Sequence, residues 1–298
     1  MEALRETLIV AEQDLRHSVR TTKALAFLLI YALLTLGGGA LMVEAAARTE
    51  QMAMEAAEKF GMSPEQAEAE KTEAKRKATV GALEWVMSDE SEAEAQADYL
   101  LGCPLIVLIF FVVNILLLPF LIVLMTYDQI SAELQYRSAR YTLLRASRTS
   151  LLLGKILANG VLITAITVVT NLLLVTYAQV RLVEFELSSA LVYVLRFWAL
   201  TLPLALAWVS IIAFLSSLFR FSYQALMASL ATFFATLVLL AMTLWESFDF
   251  LKYVLPWHYN GLLLSHRLGD QLLGTGVFLF IALLFGGAAW LVLKRRDV

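Results

Sequence analysis

The sequence is poor in the residues on which soluble and secreted folds depend. Only 16% of its 298 residues are charged, against about 25% in an ordinary soluble domain, and it has a single cysteine. Cys103 cannot form an intrachain disulfide, and a formal net charge of −3 identifies no partner. A soluble enzyme, a nucleic-acid-binding protein and a secreted disulfide scaffold are therefore excluded.

Motifs for catalysis and for nucleotide binding are also missing. The pair Gly154 and Lys155 is the one Gly-Lys step in the chain. A phosphate-binding loop, G-x-x-x-x-G-K-[ST], would also need a glycine at Thr149 and a hydroxyl at Ile156. The three histidines are scattered and form no ligand cluster. We therefore expect no catalytic residue, no metal site and no cofactor in this chain.

Long apolar runs are what the sequence does contain. Apolar residues make up 60% of the chain and its mean hydropathy is +0.73. A helix of about 20 residues crosses a hydrocarbon layer of about 30 Å and satisfies its own backbone there. We therefore predict an all-α integral membrane protein with six transmembrane helices, at Ala24–Val43, Leu100–Met125, Ile156–Tyr177, Phe197–Phe219, Ala225–Trp245 and Gly276–Leu293.

The distribution of lysine and arginine predicts the orientation. With both termini on one side, that side holds 13 basic and seven acidic residues, and the opposite side holds 10 basic and 19 acidic residues. Cytoplasmic loops carry the excess of lysine and arginine. Both termini are therefore expected in the cytoplasm.

Three segments outside the spans have helical patterns of their own. Residues 1–22 carry apolar side chains at helical spacing, which favours an interfacial helix over a solvated leader helix before the first span, 23–43. Residues 44–99, rich in Ala and Glu, predict an external helical hairpin with a solvated acidic face, in preference to a cation site. The second span is assigned to 100–127 and spans three to six to 156–298. Within the latter, residues 246–275 predict an external re-entrant-like segment.

Neutral polar residues inside the spans are candidates for a transport pathway. Polar residues at membrane depth often mark such a pathway, although helix–helix hydrogen bonding uses the same residue types and is the favoured alternative. The candidates singled out are Asn114, Asn159 and Asn171.

The loop at 128–155 carries a family resemblance. Its motif positions, roughly D-x-I-x-x-E, then Ser-Arg and a closing Gly-Lys, are filled by Asp128, Ile130, Glu133, Ser147, Arg148, Gly154 and Lys155. At these positions the sequence resembles the permease subunits of ABC transporters of the type-2 exporter family. It is especially similar to the copper-maturation and gliding-associated branch. It departs at Arg137-Ser138, where Gly-Thr is usual, and lacks the usual proline before Ser147.

The resemblance implies a coupling helix after the second span that docks on a separately encoded ATPase subunit. The residues assigned to ATPase coupling are Asp128, Ile130, Glu133, Arg137, Arg140, Arg145 and Arg148. On this reading two ATPase copies bind ATP and magnesium. A second permease copy completes the transporter in the bacterial inner membrane, with the second and fifth spans lining the permease interface.

Other functions remain open at this point. A non-transporting membrane scaffold would use the 44–99 hairpin to bind an external partner, and its arginines would only obey the positive-inside rule. An ion-coupled carrier is less favoured, because the spans lack buried charge and an evident inverted repeat.

Overall fold

The described part of the chain is entirely helical in its regular structure. The computed structural model describes residues 2–20, 22–41, 43–44, 48, 66, 72–73, 75–77, 79–81, 83, 90–100, 102–138, 142, 144, 146–182, 185–243, 245–265 and 267–296. Its α-helices are α1 (Glu2–Arg20), α2 (Thr22–Ala32), α3 (Glu90–Leu100), α4 (Leu105–Thr126), α5 (Ser131–Gln135), α6 (Arg148–Arg181), α7 (Leu187–Leu218), α8 (Ser222–Met242), α9 (Asn260–Leu264) and α10 (Leu268–Arg295).

Five helices in the described ranges are long and apolar enough to cross a membrane. They are α4 continued into α5, α6, α7, α8 and α10. A sixth candidate is formed by Ala3–Arg20 and Leu25–Leu41, which meet at an angle of 68°. The second of these two runs through a π-helical turn at Leu33–Gly37. The prediction of an all-α integral membrane protein is confirmed, with five or six candidate spans.

Several helices begin at other residues than the apolar runs suggest. The helix of the second span begins at Leu105, because Pro104 occupies its N-cap position after a turn at Gly102 and Cys103. Helix α6 begins at Arg148 rather than at Ile156, and α10 at Leu268 rather than at Gly276. Hydropathy marks where a helix becomes apolar, whereas capping marks where it begins.

Helix α7 is the centre of the bundle. It packs most extensively on α10 and also contacts α4, α6 and α8. Its buried face alternates large side chains with alanine and serine, and small residues let helices approach closely where lipid supplies no hydrophobic driving force.

The segment between α8 and α9 folds back among the helices. It contains two 3-10 helices, Glu246–Tyr253 and Pro256–Tyr259. The Trp257 ring lies 6.0 Å from Trp208 of α7 and 6.1 Å from Phe233 of α8, and its Nε1 donates to Thr236 Oγ1 at 3.1 Å. Trp257 and the neighbouring Leu255 therefore pack into the bundle core, whereas Phe250 and Tyr253 of the first 3-10 helix are exposed.

The predicted 44–99 hairpin lies mostly outside the described residues. Its described parts are attached to the bundle at Glu44, at Gln96 and at Tyr99, whose Oη accepts from Arg196 Nη1 of α7 at 2.9 Å. Glu44 Oε1 accepts from Arg181 Nε at 2.7 Å and from Tyr177 Oη at 2.9 Å at the end of α6. The buried Gln96 of α3 donates to the Leu264 carbonyl at the end of α9. We call this end of the bundle the hairpin end, and the opposite end, where α1 and α5 lie, the terminal end.

Candidate functional site

A buried lysine joins three elements at the terminal end. Lys155 Nζ lies 2.8 Å from Asp14 Oδ1 of α1 and 2.8 Å from Glu133 Oε1 of α5. The exposed fraction of the side chain is 6% for Lys155, 18% for Asp14 and 22% for Glu133. These three residues, the lysine triad, link the N-terminal helix and the loop helix to the helix of the third span.

The lysine triad carries one more negative charge than positive charge. The single ammonium group is shared by two carboxylates, and the other oxygen of Glu133, Oε2, is buried without a hydrogen-bond partner among the described residues. A buried charge is tolerated only when it is paired, and breaking such a pair leaves an uncompensated charge. Lys155 therefore supplies the cation that the carboxylates of α1 and α5 require where they meet α6.

Close packing at Gly154 brings α1 onto α6. A Cβ atom at Gly154 would lie 2.7 Å from Val10 Cγ1 and 3.0 Å from the Thr7 carbonyl oxygen. Both distances are shorter than an ordinary contact of a Cβ atom, so a side chain at this position would force α1 to shift away from α6. The Gly-Lys pair thus has a packing role and a charge role at consecutive positions.

The start of α6 is capped by its own serine and by α1. Ser147 Oγ accepts from the Ser150 amide at 3.1 Å, which is the usual N-cap bond. Glu6 Oε2 of α1 accepts from the Ser147 amide at 3.1 Å and from Ser150 Oγ at 3.1 Å. The hydrogen bond from the Ser147 amide, supported by that from Ser150, lowers the pKa of Glu6 below its ordinary value. A carboxylate at a helix N-terminus is also favoured by the helix dipole.

Helix α5 is held by the end of α7 and the start of α8. Ser216 Oγ accepts from the amides of Ile130 at 3.1 Å and Ser131 at 3.0 Å, so it satisfies two donors at the start of α5. At the other end of α5, Gln135 Oε1 accepts from the Ser222 amide at the start of α8 at 3.0 Å. Ser216 of α7 thus caps the start of α5, and Gln135 of α5 caps the start of α8.

A buried amide pair extends the contact network toward the core. Gln129 Oε1 accepts from Asn159 Nδ2 at 3.0 Å, and Gln129 Nε2 donates to the Val209 carbonyl of α7 at 3.2 Å. Together with the lysine triad and the caps, this pair ties the segment 128–135 to α1, α6, α7 and α8. We call this contact network the α5 junction.

The predicted coupling residues have different surroundings. Ile130 is buried among Leu152 and Ala213, and Glu133 faces inward to Lys155. Arg148 Nη1 donates to the Leu293 and Lys294 carbonyls at the end of α10. Asp128 is half-buried, and Arg137 is exposed. Arg140 and Arg145 lie outside the described residues.

The backbone at Arg137 suits the glycine that is usual in the motif at this step. Its φ is 57°, in the left-handed region that favours glycine. A glycine at this step would adopt this turn without strain, whereas arginine adopts it at a conformational cost and adds an exposed charge.

The three predicted pathway asparagines occupy two different places. Asn114 and Asn171 line one cavity between α4, α6 and α7 in the half nearer the hairpin end. Asn159 lies at the α5 junction, where it hydrogen-bonds Gln129. All three are buried. Their role in transport stays a prediction.

Sequence reasoning does not predict the junction contacts of Lys155, Asp14 and Ser216. It identifies Lys155 only as a motif position and Ser216 only as a neutral polar residue of the fourth span. A lysine at the edge of an apolar run, on the predicted inner face of the helix, is the signal that could have identified the triad. Its partner Asp14, 141 positions earlier, could not be identified from local pattern.

Comparison with known families agrees with this architecture. The family model described as "ABC-2 family transporter protein" matches residues 8–265, which include the lysine triad and the helices α2 to α9. No curated protein matches the chain. The match covers the family as a whole, so the similarity to the copper-maturation branch stays a prediction. The chain belongs to the ABC-2 family of transporter membrane proteins and is a permease component with several membrane-spanning helices.

Proposed function

We propose that this chain couples ATP hydrolysis by a separate ATPase subunit to export, or to mechanical work, across the membrane. Two ATPase copies, which bind ATP and magnesium, would act on a dimer of this permease. The α5 junction lies on the cytoplasmic side of a bacterial inner membrane in this proposal, and both termini lie there too.

The attachment of α5 is the observation that carries the proposal. Segment 128–135 is bonded to Lys155 of α6, to Ser216 of α7 and to the Ser222 amide of α8. A displacement of this segment is therefore delivered to the ends of three spans at once. Helices that are packed in this way move as rigid bodies, which is how domain-scale transitions are transmitted.

The surface next to α5 suits a soluble protein partner. Tyr136 is 75% exposed and Leu144 is 82% exposed, and the exposed Arg137 lies beside Tyr136. Aromatic and arginine side chains are enriched at the energetic centres of protein interfaces. The ATPase subunit is the partner that the ABC-2 family implies for such a surface.

The character of the spans favours an apolar or amphipathic cargo. The polar residues of the spans singled out in the sequence are neutral, and charged residues at membrane depth are the usual sign of an ion pathway. Mechanical work is the other proposed output. Glu44 and Gln96 attach the two ends of the 44–99 segment to α6 and α9, so motion of the spans would reach an external partner of that segment.

Affinity purification of the tagged full-length chain from native membranes tests the proposal. We expect a stoichiometric ATPase with a phosphate-binding loop to co-purify. Charge reversal at Arg137 (R137E) should reduce its recovery by about tenfold, the effect of roughly 1.4 kcal/mol. The control variant R295E reverses an exposed charge at the end of α10 and should leave recovery unchanged.

Two outcomes would contradict the proposal. If the chain is recovered without an ATPase, or only with proteins of the opposite membrane side, a non-transporting scaffold becomes the better interpretation. If R137E and R295E reduce ATPase recovery equally, the surface beside α5 is not the docking site.

A further inference from the structure

A mainly apolar cavity with a few polar lining residues lies between α4, α6 and α7, away from the α5 junction. It is in the half of the bundle nearer the hairpin end, and its water-accessible volume is about 20 Å³. Apolar side chains such as Phe110, Val194 and Phe197 form most of its wall. None of its lining residues is ionisable.

An indole donor at this cavity lacks a protein partner. The indole Nε1 of Trp198 is buried and has no hydrogen-bond partner among the described residues. The amide side chain of Asn171 lines the same cavity and is 94% buried, as its exposed fraction is 6%. The other lining amide, Asn114, is already paired, since it accepts from Tyr31 Oη and donates to the Phe110 carbonyl.

Two threonines add acceptors to the same wall. Thr167 Oγ1 donates to the Ile163 carbonyl at 2.8 Å, and Thr201 Oγ1 donates to the Phe197 carbonyl at 2.7 Å. Each hydroxyl oxygen keeps lone pairs that can accept a hydrogen bond. The wall of the cavity thus offers the indole N–H donor of Trp198, the amide of Asn171, which can both donate and accept, and the two threonine hydroxyl oxygens as acceptors.

The size and polarity of the cavity define what can occupy it. A site needs roughly 10–15 Å³ of water-accessible volume and two to four polar partners to hold a water molecule, while dry cavities are apolar. A buried N–H without a partner is costly in a membrane interior, because no solvent is available to satisfy it. An ion is disfavoured, since no wall residue carries a compensating charge.

We propose that this cavity binds a small neutral group that accepts a hydrogen bond from Trp198 Nε1 and exchanges hydrogen bonds with Asn171. Water can supply this group, and so can the hydroxyl or amide of an amphipathic molecule. The occupant replaces direct contacts between α6 and α7 at this depth. Asn114 and Asn171 thereby belong to one ligand site, and Asn159 does not.

Nuclear magnetic resonance of the indole N–H tests this assignment. The full-length chain, labelled with [15N]tryptophan, is placed in nanodiscs of deuterated lipid, and the Trp198 resonance is assigned by its loss in W198F. If water is the occupant, the Trp198 indole proton shows a cross-peak at the water frequency. If an amphipathic molecule is the occupant, the cross-peak joins this proton to non-exchanging protons that co-purify with the chain.

Substitution at Asn171 provides the second measurement. In N171L the leucine fills the cavity, so either cross-peak should be lost and the Trp198 indole signal should shift. The control T176V removes an exposed hydroxyl from the same helix and should leave both unchanged. Absence of any cross-peak in the wild-type protein would overturn the proposal, as would an unshifted Trp198 signal in folded N171L. Neither readout involves an ATPase, so the assignment can fail or hold separately from the proposed function.

Discussion

Replacing Lys155 by methionine gives the sharpest test of the α5 junction. The substitution K155M keeps a long side chain in the space but removes the only charge that compensates Asp14 and Glu133 in the lysine triad. Two largely buried carboxylates would then face each other without a cation. They can respond by binding protons or by separating, and separation weakens the attachment of α1 and α5 to α6.

The expected loss of stability is large for a single substitution. Breaking a buried ion pair by removing one partner typically costs about 3–5 kcal/mol. For a chain of this size, 1 kcal/mol corresponds to a shift in Tm of about 2–4 °C. K155M should therefore lower Tm by roughly 10 °C, measured in nanodiscs at one fixed scan rate because membrane proteins of this size often unfold irreversibly.

Two matched variants separate charge from packing. The surface pair of Lys77 and Glu73 has a similar distance, 2.9 Å, but its side chains are 76% and 67% exposed. The variant K77M should therefore cost at most about 1 kcal/mol. The triple variant K155M/D14N/E133Q removes all three charges together and should recover most of the loss seen in K155M.

Two results would refute this reasoning. If K155M lowers Tm no more than K77M does, Lys155 behaves as a solvated surface charge. If the triple variant is no more stable than K155M, lost packing around the lysine stem explains the effect, and uncompensated charge does not.

Three further predictions concern the helices around the lysine triad. G154A should destabilise the protein by about 1–3 kcal/mol through overpacking against α1. The control G160A places its Cβ in ordinary contact at 3.4 Å and should be neutral or stabilising, as Tm measurements on both variants would show. Because the pKa of Glu6 is lowered in the folded protein, its ionised carboxylate stabilises the fold at pH values above the ordinary pKa of 4.5. This stabilisation is lost as the pH falls through the lowered pKa. E6Q should therefore make Tm depend less on pH in the acid range. An unchanged dependence of Tm on pH in E6Q would contradict the hydrogen bond from the Ser147 amide to Glu6. S216A should cost about 0.5–2 kcal/mol and increase amide hydrogen exchange at the start of α5, because it removes the cap of two amides; unchanged exchange there would contradict the capping role.

The sequence was sufficient for the class of fold because lipid leaves few alternatives. A run of about 20 apolar residues must be helical in a bilayer, so counting such runs predicted the all-α architecture. Helix starts were less predictable. The apolar run of the third span begins at Ile156, but the Ser147 cap lets the helix begin at Arg148, through charged residues that hydropathy assigns to a loop.

The surroundings of a candidate site residue were predictable only where they depend on the local sequence and not on contacts with a distant helix. Arg137 is exposed, as expected of a charge in a loop between spans. Glu133 and Ile130 were expected at a docking surface, yet Glu133 pairs with Lys155 and Ile130 packs in the core. A local pattern tells which residue types follow one another, but it does not tell which side chain another helix will contact.

Sequence and tertiary structure thus decide different properties of this protein. By themselves, the apolar runs, the basic residue distribution and the loop motif determined a helical membrane protein of the permease type, because each acts within a short stretch of chain. Only the tertiary structure brought Asp14 to Lys155, Ser216 to the start of α5 and Asn171 to Trp198. These pairs are distant in sequence or lie on different helices. Helix packing determines which of these side chains lie close together, because it buries polar groups that must then form hydrogen bonds or ion pairs.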